Sequence, residues 1–144
     1  SIIGVRIRKD IYGTNPNYSI NQFALLDDYL SNINHNVICI GDFNAYWAGT
    51  WNTNRNFALP KTSTSYTLHT PPYNQTDGFS YVGPGGSKLQ LDHLITNIKC
   101  KRVIVNYDWG FVNNLNGYGN LKKDDYKNIT GLPDHAILKA EISM

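Results

Sequence analysis

A chain of 144 residues, 41% hydrophobic and only 17% charged, carries enough apolar surface for one core, and nothing in it demands a second domain. A formal net charge of +2 permits contact with phosphates but is far from the dense basic footprint of a dedicated nucleic-acid binder. No apolar run approaches the roughly 20 residues that span a bilayer. Ser1-Ile2-Ile3-Gly4 is no signal peptide, so a soluble protein is expected, its compartment open with the cytoplasm slightly favoured.

In chain order, Ile3, Val5 and Ile7 alternate with Arg6 and Arg8 and predict a half-exposed strand. Gly13, Asn15 and Pro16 mark a turn. Ser19 and Gln22 match a capping box, and Phe23, Leu26, Leu30 and Ile33 recur at helical spacing, which predicts an amphipathic helix ended by Asn34-His35-Asn36. Val37 to Ile40 then reads as a strand buried on both faces.

Residues 45–88, rich in Asn, Thr, Ser, Gly, Pro and aromatics, are expected to form long ordered loops with at most a hairpin, with strand-like pieces at 66–68 and 79–82. Leu89 to Thr96 and Arg102 to Tyr107 predict strands, 117–131 a polar connection, and Ala136 to Ile142 a closing, alternating strand. The sum is an α+β chain: a layered α/β sandwich with one sheet, one main helix and long loops. Cys39 and Cys100 lie in or beside apolar runs, without a second cysteine at metal-ligand spacing, and read as buried thiols.

Chemistry concentrates at three pairs on the edges of apolar runs. Asp42 and Asn44 follow Val37 to Gly41, and in an extended chain both side chains leave on one face. A carboxylate there can bind a metal or activate water, and an amide can donate to a phosphate oxygen. A Gly-Asp turn with Asn as a cap fits the same residues. Asp92-His93 sits in an apolar context where a carboxylate needs a partner. His93, facing away from Asp92, reads as structural.

Asp134-His135 follows the stiff Gly131-Leu132-Pro133, and His135 is the better acid/base candidate because imidazole titrates near neutrality. An Asp behind that ring would orient it. His35 and His69 lie in polar connections and read as solvated. Tyr46, Trp47 and Trp51 form either a stacking lip or loop packing, and Lys122 to Asp125 a solvated charge run.

Taken in order, residues 37–44, 87–95 and 133–136 resemble the motifs of the endonuclease/exonuclease/phosphatase superfamily, the DNase I-like fold, and the match runs through residues 1–144. The resemblance implies a metal-dependent phosphoester hydrolase. Asp42 would orient or deprotonate the attacking water, Asn44 would hold the phosphate, and Asp92 would support His135. Asp134 and Asp42 would be metal ligands, and the metal Mg2+ or Mn2+. The implied substrate is a phosphoester, with DNA or RNA among the candidates.

The chain departs from that family in one respect. Its main magnesium ligand is a glutamate in the first half, and here the only glutamate is Glu141, after every motif, while Arg6 stands where His or Tyr is frequent. The chain therefore reads as a C-terminal half of such a domain, of low activity alone, with an exposed sheet face that favours self-association. The alternative is a non-catalytic binding or interaction module that keeps the scaffold.

Overall fold

The computed structural model describes residues 1–9, 17–46, 51, 57–83, 86–109 and 134–144. The expected turn at 13–16, Trp47, the 117–131 connection with its charge run, and Gly131 to Pro133 lie outside them. The elements are β1 (Ile2–Arg6), α1 (Tyr18–Ser31), β2 (Ile38–Asp42), a 3-10 turn (Thr62–Thr64), β3 (Thr67–His69), β4 (Tyr81–Val82), β5 (Lys88–Leu89), β6 (Asp92–Thr96), β7 (Arg102–Asp108) and β8 (Ile137–Ser143).

The expected single sheet divides, among the described residues, into a four-stranded sheet of order β1-β2-β6-β3 and two separate pairs, β4-β5 and β7-β8. The run read as one strand from Leu89 to Thr96 is broken at Gln90-Leu91. The Gln90 side chain there donates to the carbonyls of Pro71 and Gly78, and Leu91 gives its N–H to Ser80 Oγ. That break lets β5 pair with β4 while β6 pairs with β2 and β3. β1 and β2 are parallel, so the chain between them must cross the sheet, and α1 makes that crossing.

On α1, Phe23, Asp27 and Leu30 are buried at the i, i+4, i+7 positions of one face. The capping box does not form. The helix begins at Tyr18 with Asn17 as N-cap, which places Ser19 inside the first turn, past the position from which a cap bond is made. Ser19 Oγ and Gln22 Nε2 instead donate to the Arg8 carbonyl, and Gln22 Oε1 accepts the Arg8 N–H, so both side chains tie α1 to the end of β1. The buried Asp27 has a similar use at longer range, accepting the N–H groups of Lys61 and Thr62 at the start of the 3-10 turn.

The main core lies between α1 and one face of the sheet, where Phe23, Phe43 and Phe57 pack with Leu30, Cys39 and Ile95. Phe43 and Phe57 have ring centroids 5.1 Å apart. Strand register fixes the other face: Ile40 opposes Leu94, and Asp42 opposes Asp92. Here the sequence reading of β2 needs correction, because Ile38 and Ile40 are only half-buried. β7 and β8 lie beside β3 and β6, where Leu94 and Thr96 are fully buried, whereas Ile2 at the β1 edge remains 77% exposed. A second, smaller core of Phe79, Val82, Tyr107 and Trp109 sits under β4 and β7.

Both cysteines are free, and burial pushes the Cys39 thiol up to about 12. Among the described residues, no helix is long and apolar enough to cross a membrane.

Candidate functional site

β2 ends at Asp42 and β6 begins at Asp92, and the antiparallel register sets these two residues directly opposite one another. Cross-strand partners share a face, so two carboxylates meet at one end of the sheet. The third component arrives on the chain leading into β8. The Val82 N–H donates to the Asp134 carbonyl and the Ala136 N–H to the Ser80 carbonyl, and His135 bridges to Tyr81. Residues 134–136 thus run antiparallel to β4, and His135 Nδ1 donates to Asp92 Oδ2 at 2.7 Å. Ligand atoms of Asp42, Asp92 and His135 all fall within 4.8 Å of one another.

Local backbone explains how Asp42 is presented. Gly41 has φ 147°, and a Cβ there would sit 2.0 Å from the Val5 carbonyl oxygen, so only glycine lets β1 and β2 run this close. Asn44 has φ 48°, a left-handed conformation that Asn tolerates better than most residues. The chain therefore turns at Asn44, and the shared face of Asp42 and Asn44 arises from this turn where strand alternation was expected. Asn44 gives its backbone N–H to Asp42 Oδ1 (2.8 Å) and its Nδ2 to Asp42 Oδ2 (3.0 Å) and to the Ile7 carbonyl (2.6 Å). Its amide donors are spent on Asp42 and on the Ile7 carbonyl; to hold a phosphate, one of these bonds would have to open.

The electrostatics follow from crowding. Burial raises the Asp42 pKa and the Asp92 charge raises it further, against the Asn44 N–H, His135 and Arg6, which favour the anion. For His135, burial is the largest single influence and lowers the pKa. The hydrogen bond and charge of Asp92, with Asp42 and Asp134 behind it, outweigh burial and leave the pKa above its ordinary value. Tyr81, with its ring centroid 5.0 Å from that of His135, is raised by burial and by the charges of Asp134 and Asp42.

Asp134 departs from its expected place. It is exposed, its carbonyl serves the β4 contact, and its carboxylate lies outside the group of three, whose second carboxylate is that of Asp92. His93 is fully buried, with its ring edge-on to Phe57 at 4.7 Å. The Ala45 carbonyl can only accept, which assigns the proton to His93 Nε2 and makes Nδ1 the acceptor for Thr70 Oγ1. Burial pushes its pKa down to about 4, so it is a neutral structural imidazole.

His69 was expected to be solvated; it lies in β3 with Nε2 buried and, among the described residues, lacking a hydrogen-bond partner. His35 is exposed and meets Ser1 Oγ. Trp51 packs edge-on against Phe57 while Tyr46 is 54% exposed, so of the two described members of the expected lip Tyr46 is the one that faces water.

Three residues to which the sequence assigns only a place in strands hold the site together. Ser80 Oγ accepts the N–H groups of Leu91 and Asp92, and Tyr107 Oη donates to the Asp92 carbonyl at 2.7 Å. Tyr81 backs His135. They act mainly through backbone, which no motif records. The one available signal was a serine within the apolar piece Phe79 to Val82.

Two carboxylates and an imidazole are a donor set for a divalent cation. Ligand atoms bound at about 2.4 Å on opposite sides of an ion stand up to about 4.8 Å apart, the spread within which these three lie; Mg2+, bound at about 2.0–2.1 Å, takes a tighter spread of at most about 4.2 Å. A scan against protein-family models, a search of the curated proteins and a search of the solved structures each find no match.

Proposed function

We propose that this chain carries the catalytic end of a metal-dependent phosphoester hydrolase of the endonuclease/exonuclease/phosphatase type. The observation that supports this reading is the meeting of Asp42, Asp92 and His135 at one sheet end, with His135 Nδ1 on Asp92 Oδ2. Asp92 fixes the ring and its tautomer, so His135 Nε2 is the nitrogen available to accept a proton from water or to contact a phosphate oxygen. Asp42, held by Asn44 and less buried than Asp92, is the carboxylate better placed to meet a cation of the Mg2+ or Mn2+ kind. When bound, such an ion polarises a phosphoryl oxygen and stabilises the charge that develops on it.

Weak turnover is expected of this chain by itself. Its sole glutamate, Glu141, pairs with Ile104 toward the far end of β8 and so does not reinforce the cation site. The test is hydrolysis of a chromogenic phosphodiester, and of single- and double-stranded DNA and RNA, with Mg2+ or Mn2+. Slow, metal-dependent cleavage lost in both Asp42→Asn and His135→Ala supports the proposal; cleavage unchanged in both would falsify it.

The engagement of both Asn44 amide hydrogens within the fold favours a second reading, a non-catalytic binding or interaction module that keeps the scaffold. Cation-dependent binding of a non-hydrolysable phosphodiester with no cleavage of the cleavable one would select it.

A further inference from the structure

A cavity of about 460 Å³ opens at the opposite end of the sheet from Asp42 and Asp92. Its walls come from Thr67 and His69 on β3, from Thr96 at the end of β6, and from the connection that leads into β7. That connection brings Lys99, Lys101 and Arg102 to the cavity within four consecutive residues, and among the described residues no carboxylate lines it. None of the three cations is ion-paired with a carboxylate among the described residues. Like charges gathered without an acid repel one another, and a bound anion relieves that repulsion.

An independent observation concerns His69, another wall residue. Its Nε2 is buried and has no hydrogen-bond partner among the described residues. An unsatisfied buried nitrogen is costly, and it calls for a polar group to complete it. Burial lowers the His69 pKa, so in the free chain the ring is neutral. An oxyanion nearby restores the charged, donating form.

We infer that this cavity is an anion site for clustered phosphate groups, a diphosphate or triphosphate moiety, bound by Lys99, Lys101 and Arg102 above the His69 ring. Arg102 offers a planar fork to two phosphate oxygens, the lysines add point charges, and the volume exceeds what a single phosphate fills. The site is separate from the acid/imidazole cluster. Asp92 and Thr96 are the two ends of β6, so the cavity lies about 13 Å away along the strand. Arg102 pairs with Ser143 at the far end of β7-β8.

The experiment is titration of the whole chain, freed of metal with a chelator, with inorganic pyrophosphate, followed by calorimetry and by the His69 ring resonances. The expected result is saturable binding that weakens with added salt, shifts His69, and is about tenfold weaker or worse in Lys101→Ala and Arg102→Ala. These side chains are exposed, so the variants should keep the wild-type melting temperature, and that is checked. Asp42→Asn should bind pyrophosphate as the wild type does, which separates this site from the cation cluster. A parallel titration with a single-stranded oligonucleotide distinguishes the source: stronger binding of the oligonucleotide than of pyrophosphate would overturn the preference for a compact polyphosphate. The site itself is overturned by no pyrophosphate binding, or by binding that Lys101→Ala and Arg102→Ala leave unchanged.

Discussion

His135 Nδ1 donates to Asp92 Oδ2 across 2.7 Å, joining residues 43 positions apart. The carboxylate side chain is 11% exposed and the imidazole 28%, so the contact is shielded from water on one side and open on the other. Through this bond and the Asp92 charge, the His135 pKa stands above its ordinary value despite burial. The folded value therefore exceeds the unfolded one. The stabilisation is complete below about pH 6.5, the unfolded value, and is lost as pH rises through the folded pKa. In metal-free protein, Asp92→Asn should lower the midpoint of the His135 ring titration followed by NMR and flatten the fall in melting temperature across that window. A midpoint unmoved by Asp92→Asn means that the pair does not form in solution.

How the site became legible differs from residue to residue. Asp42, Asp92 and His135 could be found because each sits where an apolar run meets polar chain, and strand ends converge. Asp134 entered as a ligand through the family resemblance alone, and its carboxylate stands outside the group of three, its carbonyl taking the Val82 N–H while His135 turns to Asp92. Ser80 and Tyr107 were invisible because they hold Asp92 by its backbone, and a hydroxyl in a strand carries no signature of that. Helix α1 was legible from its periodicity, yet its entry was not. Tertiary contact with Arg8 claimed Ser19 and Gln22, and Asp27, a charged residue on the apolar face, was spent on another element's N–H groups.

His93 sets an acid limit on the fold. Its folded pKa of about 4 lies below the ordinary 6.5, so the stability it contributes is present above pH 6.5 and is lost as pH falls toward 4. The full loss is on the order of 3 kcal/mol. Urea unfolding measured from pH 7 to pH 4 should show that decline. His93→Gln should be less stable at pH 7, having lost part of the Thr70 and Ala45 bonding, yet show a shallower acid limb. An equally steep limb in the variant would assign the acid sensitivity to other groups.

Gly41 and Gly4 form a matched pair for testing the β1-β2 approach. Alanine at Gly41 meets the Val5 backbone and a φ that disfavours it, and should cost more than about 3 kcal/mol. Alanine at Gly4 meets nothing within 4 Å, and should be neutral or stabilising by about 0.4–1 kcal/mol. Chemical denaturation of the two variants checks this, and equal effects would refute the close approach at Gly41.

Asp27→Ala removes the acceptor for two N–H groups of the 3-10 turn. With about 1–3 kcal/mol for each donor left unsatisfied, the loss should be about 2–4 kcal/mol, because Lys61 can recover water while the buried Thr62 cannot. Asp27→Asn keeps one acceptor oxygen and should lose roughly half as much. Hydrogen exchange at the Thr62 amide gives a local readout: it should accelerate in Asp27→Ala more than in Asp27→Asn, and equal protection in both would deny Asp27 its capping role.

The cation cluster makes a prediction in which stability and function oppose one another. Burial and the facing Asp92 raise the Asp42 pKa, so the folded chain disfavours the charged form that a cation needs, and this penalty is present at pH values above the folded pKa. Asp42→Asn removes the charge but gives up one bond from Asn44. In metal-free protein at pH 7 the variant should therefore be no less stable than the wild type. Adding Mn2+ at about 100 times its dissociation constant should stabilise the wild type by about 2.7 kcal/mol, chelation should reverse this, and Asp42→Asn should show neither effect. A variant that gains as much from Mn2+ as the wild type would remove Asp42 from the ligand set, and with it the reading of this sheet end as a cation-dependent site.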